Sequence, residues 1–77
     1  MGRVPRQTVN FVLRAACRPG GVTEPDLWML AGAVDAPHAE RRQAMLRSAL
    51  EELCDARLVE RHGTVYEATG DGRTKRL

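Results

Sequence analysis

Ala44–Thr69, AMLRSALEELCDARLVERHGTVYEAT, is the stretch that decides the architecture. Its first half repeats apolar residues at helical spacing, with Leu46, Ala49, Leu50 and Leu53 in phase. At 100° per residue, Ala39, Ala49, Leu50 and Leu53 fall within roughly 60° of Leu46. Ala44, Arg41, Ser48, Glu51 and Asp55 fall opposite, with Arg47 on the flank. The spacing therefore predicts a helix over about residues 37–56, opening at Pro37 and apolar on its inner face. The period then changes. Leu58-Val59-Glu60-Arg61 and Thr64-Val65-Tyr66-Glu67 read as two short strands, rich in β-branched residues. His62-Gly63 lies between them as a tight turn, in which glycine supplies the positive φ.

Working towards the N-terminus, Val9, Val12, Leu13 and Ala16 share one stripe of a first helix over about 6–17. Phe11 lies off that stripe, on a flank. Arg18-Pro19-Gly20-Gly21 stops the helix. Thr23 stands where an N-cap belongs, and Asp26 follows three residues later in a variant of the capping box. Pro25 suits a first turn, and Glu24 and Asp26 suit the positive end of a helix dipole. The second helix is expected over about 24–33, with Leu27, Leu30 and Ala31 inward and Trp28 closing one edge. Asp35-Ala36-Pro37 separates it from the third. Residues 1–5 read as a flexible arm, and 71–77 as a basic tail after Gly70-Asp71-Gly72 ends the order.

The chain has 77 residues, enough for one domain, 1–77, with a thin stability margin. Hydrophobic residues make up 43% and aromatics only 4%, which favours helices around a small aliphatic core over an all-β sandwich. The fold class expected is α+β, three helices with a two-stranded ribbon. The formal charge is +2, and all twelve basic residues except Lys75 are arginine. Arginine forks onto phosphates and guanine edges. An arginine-rich composition also follows from a GC-rich genome. Cys17 and Cys54 form no CxxC pair and no disulfide framework. No apolar run approaches the ~20 residues that cross a bilayer, and no signal peptide is visible, so a cytoplasmic location is expected.

The order of helices and ribbon resembles the winged helix-turn-helix superfamily, and within it the MarR and PadR class of prokaryotic regulators. The residues that carry the likeness are Leu50-Glu51-Glu52-Leu53-Cys54-Asp55-Ala56-Arg57-Leu58-Val59-Glu60-Arg61, then His62-Gly63, then Val65-Tyr66-Glu67-Ala68-Thr69. Thr23–Ala31, TEPDLWMLA, is similar to the family's second helix, and the likeness spans about residues 7–70. Where the family often has glycine, this chain has Arg57. The resemblance implies a minimal winged helix with three helices and a two-stranded wing. It implies double-stranded DNA as partner, with the third helix in the major groove and the wing on the backbone.

On that reading Arg41, Arg42, Gln43, Arg47 and Ser48 are the candidate reading residues, because the N-terminal half of a groove-bound helix meets base edges. Arg42 and Gln43 lie nearer the buried flank and suit phosphate contacts equally. Arg61, His62 and Thr64 are the candidates at the wing. Each set has a plain alternative, a solvated helix face and a hairpin that only caps the core. The terminal cations Arg3, Arg6, Arg73, Lys75 and Arg76 suit salt-dependent, sequence-blind attraction, or solubility alone. No catalytic spacing, phosphate loop or metal-ligand pattern stands out, so neither an enzyme nor a cofactor is expected. The function expected is a small DNA-binding transcriptional regulator of phage or mobile-element origin, working as a homodimer over two half-sites. The alternative is a winged-helix module that binds protein, such as an adaptor or a phage-encoded inhibitor of a host nucleoprotein complex. The mixed sign of the third helix, with Glu51, Glu52 and Asp55 in its second half, suits that alternative.

Overall fold

A computed structural model of the chain describes residues 4–34 and 37–74. In chain order it contains α1 (Arg6–Ala16), β1 (Val22–Thr23), α2 (Glu24–Leu30), α3 (Ala39–Asp55), β2 (Val59–His62), β3 (Val65–Ala68) and α4 (Gly70–Thr74). The architecture is α+β. It differs from the sequence expectation by one strand and one helix, with four helices and a three-stranded antiparallel sheet among the described residues.

The core forms where the periodicity places it. Val9, Val12, Leu13 and Ala16 of α1 are buried against Leu46, Ala49, Leu50 and Leu53 of α3. Leu27 of α2, Val22 of β1 and Val59 of β2 complete it. Trp28 and Tyr66 are half-buried against that cluster, as amphipathic rings at a core edge should be.

The extra strand is Val22–Thr23. It pairs with β3 through Val22 with Tyr66 and Thr23 with Val65, giving the sheet order β1-β3-β2. Two residues have no alternation to read, which is why the pattern concealed it. Thr23 also caps α2, its Oγ1 accepting from the Asp26 N–H at 3.3 Å. The capping expectation holds.

Several boundaries differ from expectation, and both hairpin strands run one residue later than the pattern places them, Val59–His62 for Leu58–Arg61 and Val65–Ala68 for Thr64–Glu67. α3 begins at Ala39, two residues after Pro37, with His38 at its N-cap in the left-handed region, φ 69°. α2 ends at Leu30, because the chain closes a Schellman turn there. The Ala33 N–H reaches Trp28 O at 2.8 Å and the Gly32 N–H reaches Met29 O at 3.2 Å, with Gly32 at φ 66°. That early stop turns Leu30 outward, 47% exposed, where an inward residue was expected. The hairpin loop is Gly63–Thr64 and not His62–Gly63, since His62 pairs with Val65 as the last residue of β2. Gly63 has φ 66°.

α3 ends in the same way as α2. The Leu58 N–H bonds to Leu53 O at 2.9 Å and the Arg57 N–H to Cys54 O at 3.0 Å, with Arg57 at φ 61°. Arg57 therefore adopts the left-handed conformation that glycine takes at no steric cost.

α4 occupies part of the stretch expected as a basic tail. Thr69 makes it possible: its Oγ1 accepts from the Gly72 N–H at 3.0 Å and donates to Arg57 O at 2.9 Å. Arg73 then donates to Cys17 O at 3.0 Å, tying the last helix to the end of the first. Gly72 is buried against Leu58, so close that a side-chain carbon there would overlap the Leu58 carbonyl. The expected flexible arm also shortens, because Val4 packs on the core and Pro5 occupies the α1 N-cap. Arg3, Asp35, Lys75 and Arg76 lie outside the described residues.

Candidate nucleic-acid interface

The candidate residues divide by what they already touch. Arg41 and Ser48 are exposed on the outer side of α3, and Thr64 is exposed at the hairpin loop. None of the three side chains has a hydrogen bond or ion pair among the described residues. A base edge or phosphate could meet them without breaking an internal bond.

The others are engaged within the chain. Arg42 Nη1 donates to Ala31 O at 3.3 Å, and Gln43 Nε2 donates to Ala33 O at 2.8 Å. Both bonds satisfy carbonyls at the C-terminal end of α2, where the helix leaves acceptors without partners. They also fix the angle between α2 and α3. Gln43, half-buried, thus spends an amide donor on the end of α2. Arg47 Nε bonds to Glu24 Oε2 at 3.1 Å, and its guanidinium lies 5.6 Å from the Trp28 ring centroid. With 54% of its side chain exposed, that pair contributes at most about 1 kcal/mol. Arg47 can therefore be drawn from Glu24 by a phosphate at small cost.

On the hairpin, Arg61 Nε donates to Gly63 O at 2.8 Å and its guanidinium covers the Tyr66 ring at 5.9 Å. Arg61 and Tyr66 are cross-strand partners, so register alone brings them together. His62 Nε2 lies 3.4 Å from Glu60 Oε2 and 4.0 Å from Glu67 Oε1. Glu60 and Glu67 are themselves paired across the strands. Two carboxylates directly opposed repel each other, and this face of the ribbon would repel phosphates too. His62 stands within that acidic pair, which weakens it as a phosphate contact.

The outer side of α3 changes sign as the sequence implies. Arg41 is exposed in its first half, and Glu51, Glu52 and Asp55 are exposed in its second. The first half, where Glu40 is exposed beside Arg41, suits an anionic partner better than the second.

The pattern of residues missed a second surface. Phe11, Leu30 and Met45 line a groove of about 590 Å³ between α1, α2 and α3, with Arg41 and Arg42 on its rim. Phe11 and Met45 are each 37% exposed. The signal for it was present in the phase of Phe11 and Met45, which both fall off the buried stripes.

Cys17 and Cys54 are both half-buried free thiols. Among the described residues, no three His, Cys, Asp or Glu side chains cluster as metal ligands. No described helix is long and apolar enough to cross a membrane. Comparison with protein-family models, curated proteins and solved structures finds no match.

Proposed function

We propose that this chain is a winged helix-turn-helix module that binds double-stranded DNA and serves as a small transcriptional regulator. α3 would enter the major groove by its first half, and the β2–β3 hairpin would follow the backbone as a wing. The order of elements supports the reading: two helices joined by a turn, then a hairpin packed beside the second, with a short strand ahead of α2 completing the sheet. The observation that carries it is Arg41, solvent-exposed and without a side-chain partner among the described residues, on the half of α3 that groove-binding helices present to bases, with Ser48 exposed on the same side one residue past the helix midpoint.

Arg41 is the residue assigned to guanine or phosphate. Arg42 and Arg47 support it as cations that can exchange a weak internal contact for a phosphate, and Arg61 and Thr64 lie at the wing. Gln43 holds the α2–α3 turn. One such helix reads only a few base pairs, so a homodimer in the cytoplasm over two half-sites belongs to the proposal. No catalytic step is part of it.

A protein-binding module, an adaptor or a phage-encoded inhibitor of a nucleoprotein complex, is the second reading. One observation favours it: Glu60 and Glu67 on the hairpin and Glu51, Glu52 and Asp55 on α3 give the same region an acidic part.

Fluorescence anisotropy on labelled duplexes of about 20 base pairs separates the two. DNA binding predicts an affinity that falls steeply as salt rises from about 50 to 200 mM. Absence of duplex binding at low salt, with a salt-tolerant protein complex instead, would favour the adaptor or inhibitor.

A further inference from the structure

We propose that the groove between α1, α2 and α3 docks an acidic amphipathic helix of a protein partner. The inference does not rest on the DNA reading and survives its failure. Phe11 and Met45 are 37% exposed and Leu30 is 47% exposed, though each is large and apolar. They come from three different helices and converge on one hollow of about 590 Å³. Large apolar side chains left at the surface and drawn together from separate helices are ones that a partner can cover.

The charge around the hollow selects the partner. Arg41 and Arg42 line it together with His38, and among the described residues no aspartate or glutamate does. Arg14, one turn beyond Phe11 on α1, is exposed but is not among the residues that line the hollow. An occupant therefore gains by carrying apolar anchors flanked by carboxylates. Glu40 is exposed in the first turn of α3 but is not among the residues that line the hollow; Glu51, Glu52 and Asp55 lie in the second half of α3, and Glu60 and Glu67 on the hairpin.

The backbone around the groove selects the occupant's conformation. The groove is lined by residues from helices and from His38 at the head of α3, and among the described residues no strand edge borders it. The Ala31 carbonyl on its wall already accepts from Arg42. An extended peptide would find no ladder to join, so its own backbone groups would lose water without replacement. A helix satisfies its backbone internally and presents anchors at i, i+3, i+4 and i+7. Duplex DNA is a poor occupant, because phosphates gain nothing over an apolar floor.

The test is selection of peptides of about 16 residues, roughly four helical turns, from a phage-displayed library against the intact chain. Enriched clones are expected to carry apolar residues at helical spacing with flanking Asp or Glu. In anisotropy, one labelled clone should lose at least tenfold in affinity to Phe11→Glu, about 1.4 kcal/mol or more. It should lose as much when its acids are exchanged for lysine. Amide chemical shifts should move around Phe11, Leu30 and Met45. Leu30→Asp, at the most exposed of the three, gives a second variant, and unchanged circular dichroism confirms its fold. Three outcomes would overturn the proposal: no enrichment, enriched clones that bind equally well with lysines, or shifts centred on another face. It would also fall if sedimentation showed a wild-type dimer that Phe11→Glu converts to monomer, since a second copy would then fill the groove.

Discussion

Single residues hold this chain at its corners. Arg57 sits at φ 61° because α3 must turn sharply into β2. The left-handed conformation costs an L-residue about 1–2 kcal/mol, part of which glycine would return as lost chain entropy. Arg57→Gly is therefore expected to stabilise the fold by about 0.5–1 kcal/mol in urea unfolding. A loss of stability would mean that the arginine side chain makes a contact outweighing its strain. Cys54 offers a reading by pH. Burial raises its thiol ionisation above the ordinary value of 9.0, Asp55 and Glu51 add to the rise, and Arg61 opposes it. The folded state then holds the thiol proton more tightly than the unfolded state. Its contribution to stability is complete below that value and declines as pH rises above it. In a Cys17→Ser background, iodoacetamide at about pH 8 should alkylate Cys54 more slowly in the folded chain than in urea. Equal rates, corrected for the effect of urea on a free thiol, would contradict the shift.

At the scale of elements, α4 ties the hairpin to the C-terminal end of α1. Thr69 joins three pieces, because it caps α4, donates to Arg57 O, and its own N–H bonds to Leu58 O at 3.0 Å. Thr69→Val keeps the shape and removes the hydroxyl. It should cost about 1–2 kcal/mol by thermal unfolding, as the loss of a cap and of a second hydrogen bond implies. A change near zero would show that α4 contributes little to the native state. The α2–α3 pair is joined more lightly. Arg47→Ala should remove both the Glu24 bond and the cover over Trp28, shifting the emission of the only tryptophan while lowering stability by less than about 1 kcal/mol. Unchanged emission would place Arg47 away from the ring in solution.

These elements were unequally legible in the sequence. α1, α3 and the hairpin could be read because their apolar residues repeat at a period long enough to measure. β1 has two residues, and α4 holds two glycines that argue against a helix until Thr69 and the approach to Leu58 explain them. Leu30 was read as inward because the pattern continued through Ala31. The Schellman closure at Gly32 ended the helix first and left Leu30 at the surface. The candidate site was legible only by face. Helical phase correctly separated Arg41 and Ser48 from the core. It carried no information on which guanidinium groups the chain would use itself, because Ala31, Ala33 and Glu24 are brought to α3 by tertiary packing.

At the scale of the whole molecule, charge is distributed rather than summed. A formal +2 is too small to draw the chain to nucleic acid without orientation. The cationic half of α3 and the acidic ribbon face, Glu60 opposite Glu67, divide the surface into attractive and repulsive parts. The account requires that duplex DNA meet the first part with the ribbon alongside. The most direct test is the slope of log Kd against log salt concentration for three chains: wild type, Arg41→Ala and Glu67→Lys. Removing one phosphate-facing cation should lower the slope by about 1, and placing a lysine on the wing should raise it by about 1. Three identical slopes, or no duplex affinity in any of them, would contradict the account.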